Sequence, residues 1–122
     1  MTGRLSSHSI SKGRDGKWEG RDEIKLGVVP GAGDKPLILQ LRTDVDSRKG
    51  ARTFASVLHD NGDGSLSCIL FQDFAKTVRT DATVTRGTEK SVTTAHAAAL
   101  NDLPAIIAEV EAFYAAKQKV AA

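Results

Sequence analysis

Apolar and polar residues alternate along the first two thirds of the chain and recur at three and four along the last third. The period changes once, near residue 86. This pattern predicts a sheet over about residues 8–86 and a helical part over about 89–118, in one domain covering 1–122. Between residues 18 and 29, Ile24, Leu26 and Val28 share one face, with Glu23, Lys25 and Gly27 on the other. Between 37 and 45, Leu37, Leu39, Leu41 and Val45 point inward, with Gln40, Arg42 and Asp44 outward. Further strands are expected at about 51–59, 65–72 and 75–85. The stretch 65–72 is apolar on both phases, with Leu66, Cys68 and Leu70 on one and Ile69 and Phe71 on the other. It is expected to be central and covered on both sides.

Turn residues separate these runs. Asp15-Gly16 favours a tight type I′ hairpin turn. A strict two-residue turn there pairs Ile10 with Arg21 and points Ile10 away from the Ile24 face. Either a bulge at Gly13 or Gly20 restores the register, or Ile10 packs outside. Residues 30–36 hold two prolines and two glycines and read as a loop, with Pro36 opening the next strand. Residues 46–50 form a turn in which Gly50 suits the left-handed position. Residues 60–64, Asp-Asn-Gly-Asp-Gly, form another.

Beyond the period change, Val92, His96, Ala99, Leu103, Ile106, Val110, Phe113 and Lys117 trace one helical stripe. Pro104 interrupts it, and Asn101 and Asp102 before it are good caps. A short helix at about 90–100, a break, and a longer helix at about 103–118 follow. The expected architecture is therefore α+β. A strongly twisted antiparallel meander of five to six strands carries a C-terminal helix, or a short and a long helix, packed on one face. The expected core is Ile24, Leu26, Val28, Leu39, Leu41, Leu66, Leu70, Val84, Leu103, Ile106, Val110 and Phe113.

Composition adds exclusions. The 122 residues are 40% hydrophobic and 26% charged, as in an ordinary folded domain. No apolar run approaches the roughly 18–20 residues of a membrane span. The start of the sequence has no apolar stretch for a secretion signal, so a cytoplasmic protein without a membrane partner is expected. The single Cys68 excludes a disulfide framework and a multi-cysteine zinc site, and reads as a small buried hydrophobe. Net charge is +2, but residues 1–57 carry eleven Lys/Arg against seven Asp/Glu, and the remainder six against eight. A basic front half points to nucleic acid or another anionic surface.

Candidate chemistry is sparse. His8, His59 and His96 lie far apart in sequence, none in a local motif with serine or cysteine, so a non-enzymatic protein without cofactor or metal is expected. His96 falls on the apolar helical stripe and reads as a packed histidine at the sheet–helix boundary. Residues 60–64 resemble a calcium loop, but Gly62 takes the third position and Phe71 the twelfth, where ligands are needed. Residues 31–35 resemble a phosphate loop, but Pro36 and a strand follow where a helix is required.

One constellation remains. Lys12, Arg14, Lys17 and Arg21 surround Trp18 on a glycine-rich hairpin, and Arg48, Lys49 and Arg52 could extend the track from a second turn. Cations along phosphates and an aromatic face under a base are what single-stranded nucleic acid needs. Trp18 also shares parity with Ile24 and Leu26, which would let it close the core instead. The leading expectation is low-specificity binding of single-stranded DNA or RNA. The alternative is a small, homodimeric adaptor that binds protein through a sheet face or edge. The first needs Lys12, Arg14, Lys17 and Arg48 on one face; the second needs an exposed apolar patch. The order of elements, antiparallel strands and then a C-terminal helix, resembles that of small single-stranded-DNA-binding transcriptional coactivators and their plant relatives. That resemblance implies a curved sheet with helical dimer contacts and carries over no residue.

Overall fold

The computed structural model describes residues 4–67 and 73–121, with side chains over 7–67 and 73–117. Its strands are β1 (Arg4–Lys12), β2 (Trp18–Gly27), β3 (Leu37–Asp46), β4 (Gly50–Asp60), β5 (Leu66–Ser67) and β6 (Ala75–Asp81). Helices α1 (Glu89–Leu100) and α2 (Leu103–Ala121) follow. The first four strands pair in sequence order, all antiparallel. The far edge of β4 is shared: β6 pairs with residues 51–56 and β5 with His59 and Asp60. This is the α+β meander that the periodicity predicts.

The first hairpin resolves its register by its turn. Gly16 N–H donates to Gly13 C=O at 3.0 Å, Gly13 N–H donates to Lys17 C=O at 2.7 Å, and Gly16 takes φ 82°. This is a three-residue loop, a type I turn closed by a left-handed glycine, not a two-residue type I′ turn. The extra residue pairs Ile10 with Gly20 and Lys12 with Trp18. Ile10 thus joins the face of Ile24, and the bulge sits at Gly16 instead of Gly13 or Gly20. The β3–β4 turn differs by one residue: Lys49 N–H bonds to Asp46 C=O at 3.2 Å, and the left-handed glycine, Gly50 at φ 79°, follows the closing residue.

Both helices cover one face of the sheet. Thr88 caps α1, its hydroxyl accepting from Ser91 N–H at 3.2 Å. Pro104 lies in the first turn of α2, where a missing N–H costs no helical bond. Under α2 the core is apolar: Ile24, Leu26, Leu37, Leu39, Leu41, Ala55 and Val57 meet Ile106, Ile107, Val110 and Tyr114. Each fully buried aliphatic side chain there contributes roughly 1.5–3 kcal/mol. Under α1 a second cluster joins Val45 and Ala51 to Val92 and Ala95, with Trp18 and Val84 packed at its rim.

Three core expectations change. The pairing of β2 with β3 shifts between Lys25 and Gly27, where Gly27 has φ 74°, so Val29 is buried and Val28 is 60% exposed. Leu66, 37% exposed, lies on a two-residue strand at the sheet edge instead of in a covered central strand. Tyr114 takes the fully buried place on α2, while Phe113 is partly buried with the Lys117 ammonium 4.6 Å above its ring. Leu70, Cys68 and the rest of 68–72 lie outside the described residues.

Candidate functional site

The two faces of the sheet carry different chemistry. On the open face, the strand pairings align Ser9, Arg21, Arg42, Phe54 and Thr77 in one row across five strands. The row spans roughly 19 Å at the usual strand spacing. Phe54 is 42% exposed. Arg42 and Thr77 flank it across the strands, and Arg52 and Ser56 along its own strand. Arg21 donates to Glu19 at 3.4 Å, and its Nε is buried without a hydrogen-bond partner.

A depression of about 240 Å³ is lined by Arg42, Asp44, Arg52, Phe54 and Thr77. It shares Arg42, Asp44 and Arg52 with a wider one of about 580 Å³, lined also by Asp15, Lys17, Glu19, Asp46 and Arg48. Acids and bases alternate in the wider one. Two of its acids are committed to turns. Asp15 accepts from Lys17 N–H at 3.0 Å, and Asp46 from Arg48 N–H at 2.7 Å. The Arg48 N–H holds the Asp46 carboxyl below its ordinary value, with Lys49 N–H and the nearby charges of Arg52 and Lys49 acting the same way.

The eight residues singled out from sequence are divided by the sheet. Arg21 and Arg52 lie on the open face, and Lys17 and Arg48 line the depression continuous with it. Arg14 and Lys49 occupy the two turns. Lys12 pairs with Trp18, and both take the helix-covered side, so Lys12 is not on a common face with Arg48. Trp18 is half-buried against the cluster under α1. Arg42 and Phe54 were not singled out. The outward parity of Arg42 was visible; Phe54 shares its phase with Arg52 and Ser56, but a large aromatic side chain reads as core.

The covered face holds a buried polar network beneath α1. His96 and Thr43 are both fully buried, and Asp22 and Thr53 nearly so. His96 Nε2 lies 2.5 Å from Asp22 Oδ1, and His8 Nδ1 lies 2.7 Å from the same oxygen. His96 Nδ1 is 2.6 Å from Thr43 Oγ1, which is 2.6 Å from Thr53 Oγ1. One assignment satisfies every contact with Asp22 ionised. Both imidazoles donate to its oxygen, Thr43 donates to His96, and Thr53 donates to Thr43. The imidazole of His96 lies against Gly20, where a Cβ would stand 2.7 Å from its Cγ.

Thr43, His96 and Asp22 thus have the hydroxyl–imidazole–carboxylate order of a nucleophile triad. Thr43 has no exposed surface, so its hydroxyl meets no substrate. A second His–Asp pair, His59 Nε2 to Asp73 Oδ1 at 2.7 Å, lies at the other end of the covered face beside Tyr114 and Lys117. Three residues missed by sequence reasoning, His8, Asp22 and Thr43, depend on contacts across strands and on the docking of α1. His96 carried a signal in its place on the apolar stripe, and Asp22 and Thr43 in sharing the inward phase of Ile24 and of Leu41 and Val45; His8 carried none. Comparison with protein-family models, with curated proteins and with solved structures finds no match to this chain.

Proposed function

We propose that this is a non-enzymatic nucleic-acid-binding protein that favours single strands and reads little sequence, using the open face of its sheet. The observation that carries the reading is the cross-strand row of Arg21, Arg42 and Phe54. An exposed ring beside two guanidinium groups offers a base a stacking surface and its flanking phosphates a charge. Lys17, Arg48 and Arg52 lie next to that row and extend the cationic surface toward the turns. The acids interleaved among them moderate the potential, which fits weak and salt-sensitive binding better than tight binding.

The adaptor reading needs a continuous apolar patch. The large exposed apolar side chains among the described residues are Val28, Phe54 and Leu66. Phe54 lies roughly 16 Å along β4 from the end of the sheet that carries the other two. That separation favours the nucleic-acid reading.

The test is the anisotropy of a labelled mixed-sequence single strand at low and physiological salt, with the duplex in parallel. Binding should weaken steeply with salt. Phe54→Ala should weaken it by about 1–3 kcal/mol, the value of one base–aromatic stack, and Arg42→Ala should flatten the salt dependence. No change in anisotropy at low salt would end the proposal, and a dimer seen by light scattering would then favour the adaptor.

A further inference from the structure

The network under α1 has a feature that hydrogen bonding alone does not require: three donor atoms from three elements converge on one point. His8 Nδ1 from β1, Asp22 Oδ1 from β2 and His96 Nε2 from α1 all lie within 4.8 Å of one another. We propose that these three residues bind one divalent transition-metal ion of the Zn²⁺ class. Two imidazoles and a carboxylate suit zinc and its neighbours, whereas calcium and magnesium take oxygen donors.

The three donors must re-space to admit the ion. A tetrahedral ion with bonds of about 2.0–2.1 Å keeps its donors roughly 3.4 Å apart. The Asp22 oxygen now lies 2.5 and 2.7 Å from the two nitrogens, so each of these distances lengthens by roughly 0.7–0.9 Å to admit the ion, and the nitrogens, now within 4.8 Å of each other, draw to the same spacing. No proton need leave the site. The His8 proton moves from Nδ1 to Nε2, on a side chain 48% exposed to solvent. The His96 proton moves from Nε2 to Nδ1, where Thr43 Oγ1 accepts it and turns its own hydrogen toward Thr53. A hydroxyl serves either tautomer, which a backbone N–H or a carbonyl at that place could not do.

The supporting shell is also present. Metal-bound histidines hold their second nitrogen on a fixed partner, and here Thr43, itself held by Thr53, supplies it. Gly20 lets the ring lie flat on the backbone of β2 and fixes its plane. Asp22 and His96 are buried, while His8 stands at the solvent boundary and gives the ion its entrance. Three protein ligands leave a fourth position for water.

The experiment uses the full chain, stripped with chelator and titrated calorimetrically with Zn²⁺, then with Co²⁺ to read the ligand-field bands of a four-coordinate site. One equivalent should bind and raise Tm. His8→Ala, at a half-exposed position that leaves the core intact, should weaken binding by at least about 100-fold, more than loss of an outer-shell partner. His59→Ala, which removes the other His–Asp pair, should bind as the parent does. The proposal fails if the parent takes up no stoichiometric Zn²⁺. It also fails if His8→Ala binds like the parent, or if His59→Ala is the variant that loses the ion. None of these readings depends on nucleic acid.

Discussion

The two helices rest on the same sheet but over unlike floors. Beneath α2 the inward positions of β2, β3 and β4 are apolar up to His59 at the far end, and the helix answers with Ile106, Ile107, Val110 and Tyr114. Beneath α1 the inward positions Gly20, Asp22, Thr43 and Thr53 separate that floor from the small Val45–Ala51 cluster, and the helix answers them with His96. The apolar half gains from burial in proportion to area and tolerates exchange among side chains of similar volume. The polar half gains only if every member keeps its partner, so it fixes one arrangement and tolerates little. Stability rests on the α2 half; the position of α1 on the sheet is specified by the other.

Substitutions should separate the halves by size of effect. Val110→Asp puts an unpaired charge into the apolar half, and the chain should be unfolded at room temperature. A melting curve like that of the parent would show that α2 does not carry the fold. Asp22→Ala strips the carboxylate from beneath two imidazoles and should cost about 3–5 kcal/mol in urea unfolding. A loss under about 1 kcal/mol would mean that the network is not a cooperative unit.

Tyr114→Phe tests a polar contact within the apolar half. Phe74 N–H donates to the Tyr114 hydroxyl at 3.3 Å, and burial pushes that hydroxyl's pKa up. Leaving the N–H unpaired should cost about 1–3 kcal/mol by the same assay. The smallest effect is expected from Lys76→Ala. It breaks the Lys76–Glu109 pair that ties β6 to α2 at 3.0 Å, but both groups are half in solvent, so the loss should stay below about 1 kcal/mol. A larger loss would show that α2 is held at its rim as well as by its buried stripe.

The apolar half was legible in the sequence, because its residues repeat at two and then at three and four. Ile24, Leu26, Leu39, Leu41, Ile106 and Val110 all lie where that period puts them. Val28 failed because the β2–β3 pairing shifts at Gly27, and a shift of one residue reverses every side chain beyond it. The polar half was not legible for a different reason. Asp22 stands between Arg21 and Glu23 and reads as one more solvated charge. His8 sits in a run of serines with no apolar alternation. His8 has no local cue; Asp22 shares the inward phase of Ile24 and Leu26, but nothing local names its partners, which lie on other elements. Phe54 was hidden because a large aromatic side chain reads as core, although it shares its phase with Arg52 and Ser56; the pairing with Arg42 places it outward.

The distance in sequence between Asp22 and His96 bears on how the chain folds. The hairpins of the meander close between neighbouring strands, and Thr43 reaches Thr53 across only ten residues. His96 reaches Thr43 across 53 residues and Asp22 across 74. Loop closure makes such contacts late. The sheet should therefore form first with Asp22 still hydrated, and α1 should dock afterwards, drawing the carboxylate out of water as the last barrier is passed. His96→Ala, which removes only contacts made by α1, would report this order: the unfolding limb of its chevron should rise while the folding limb stays where it was.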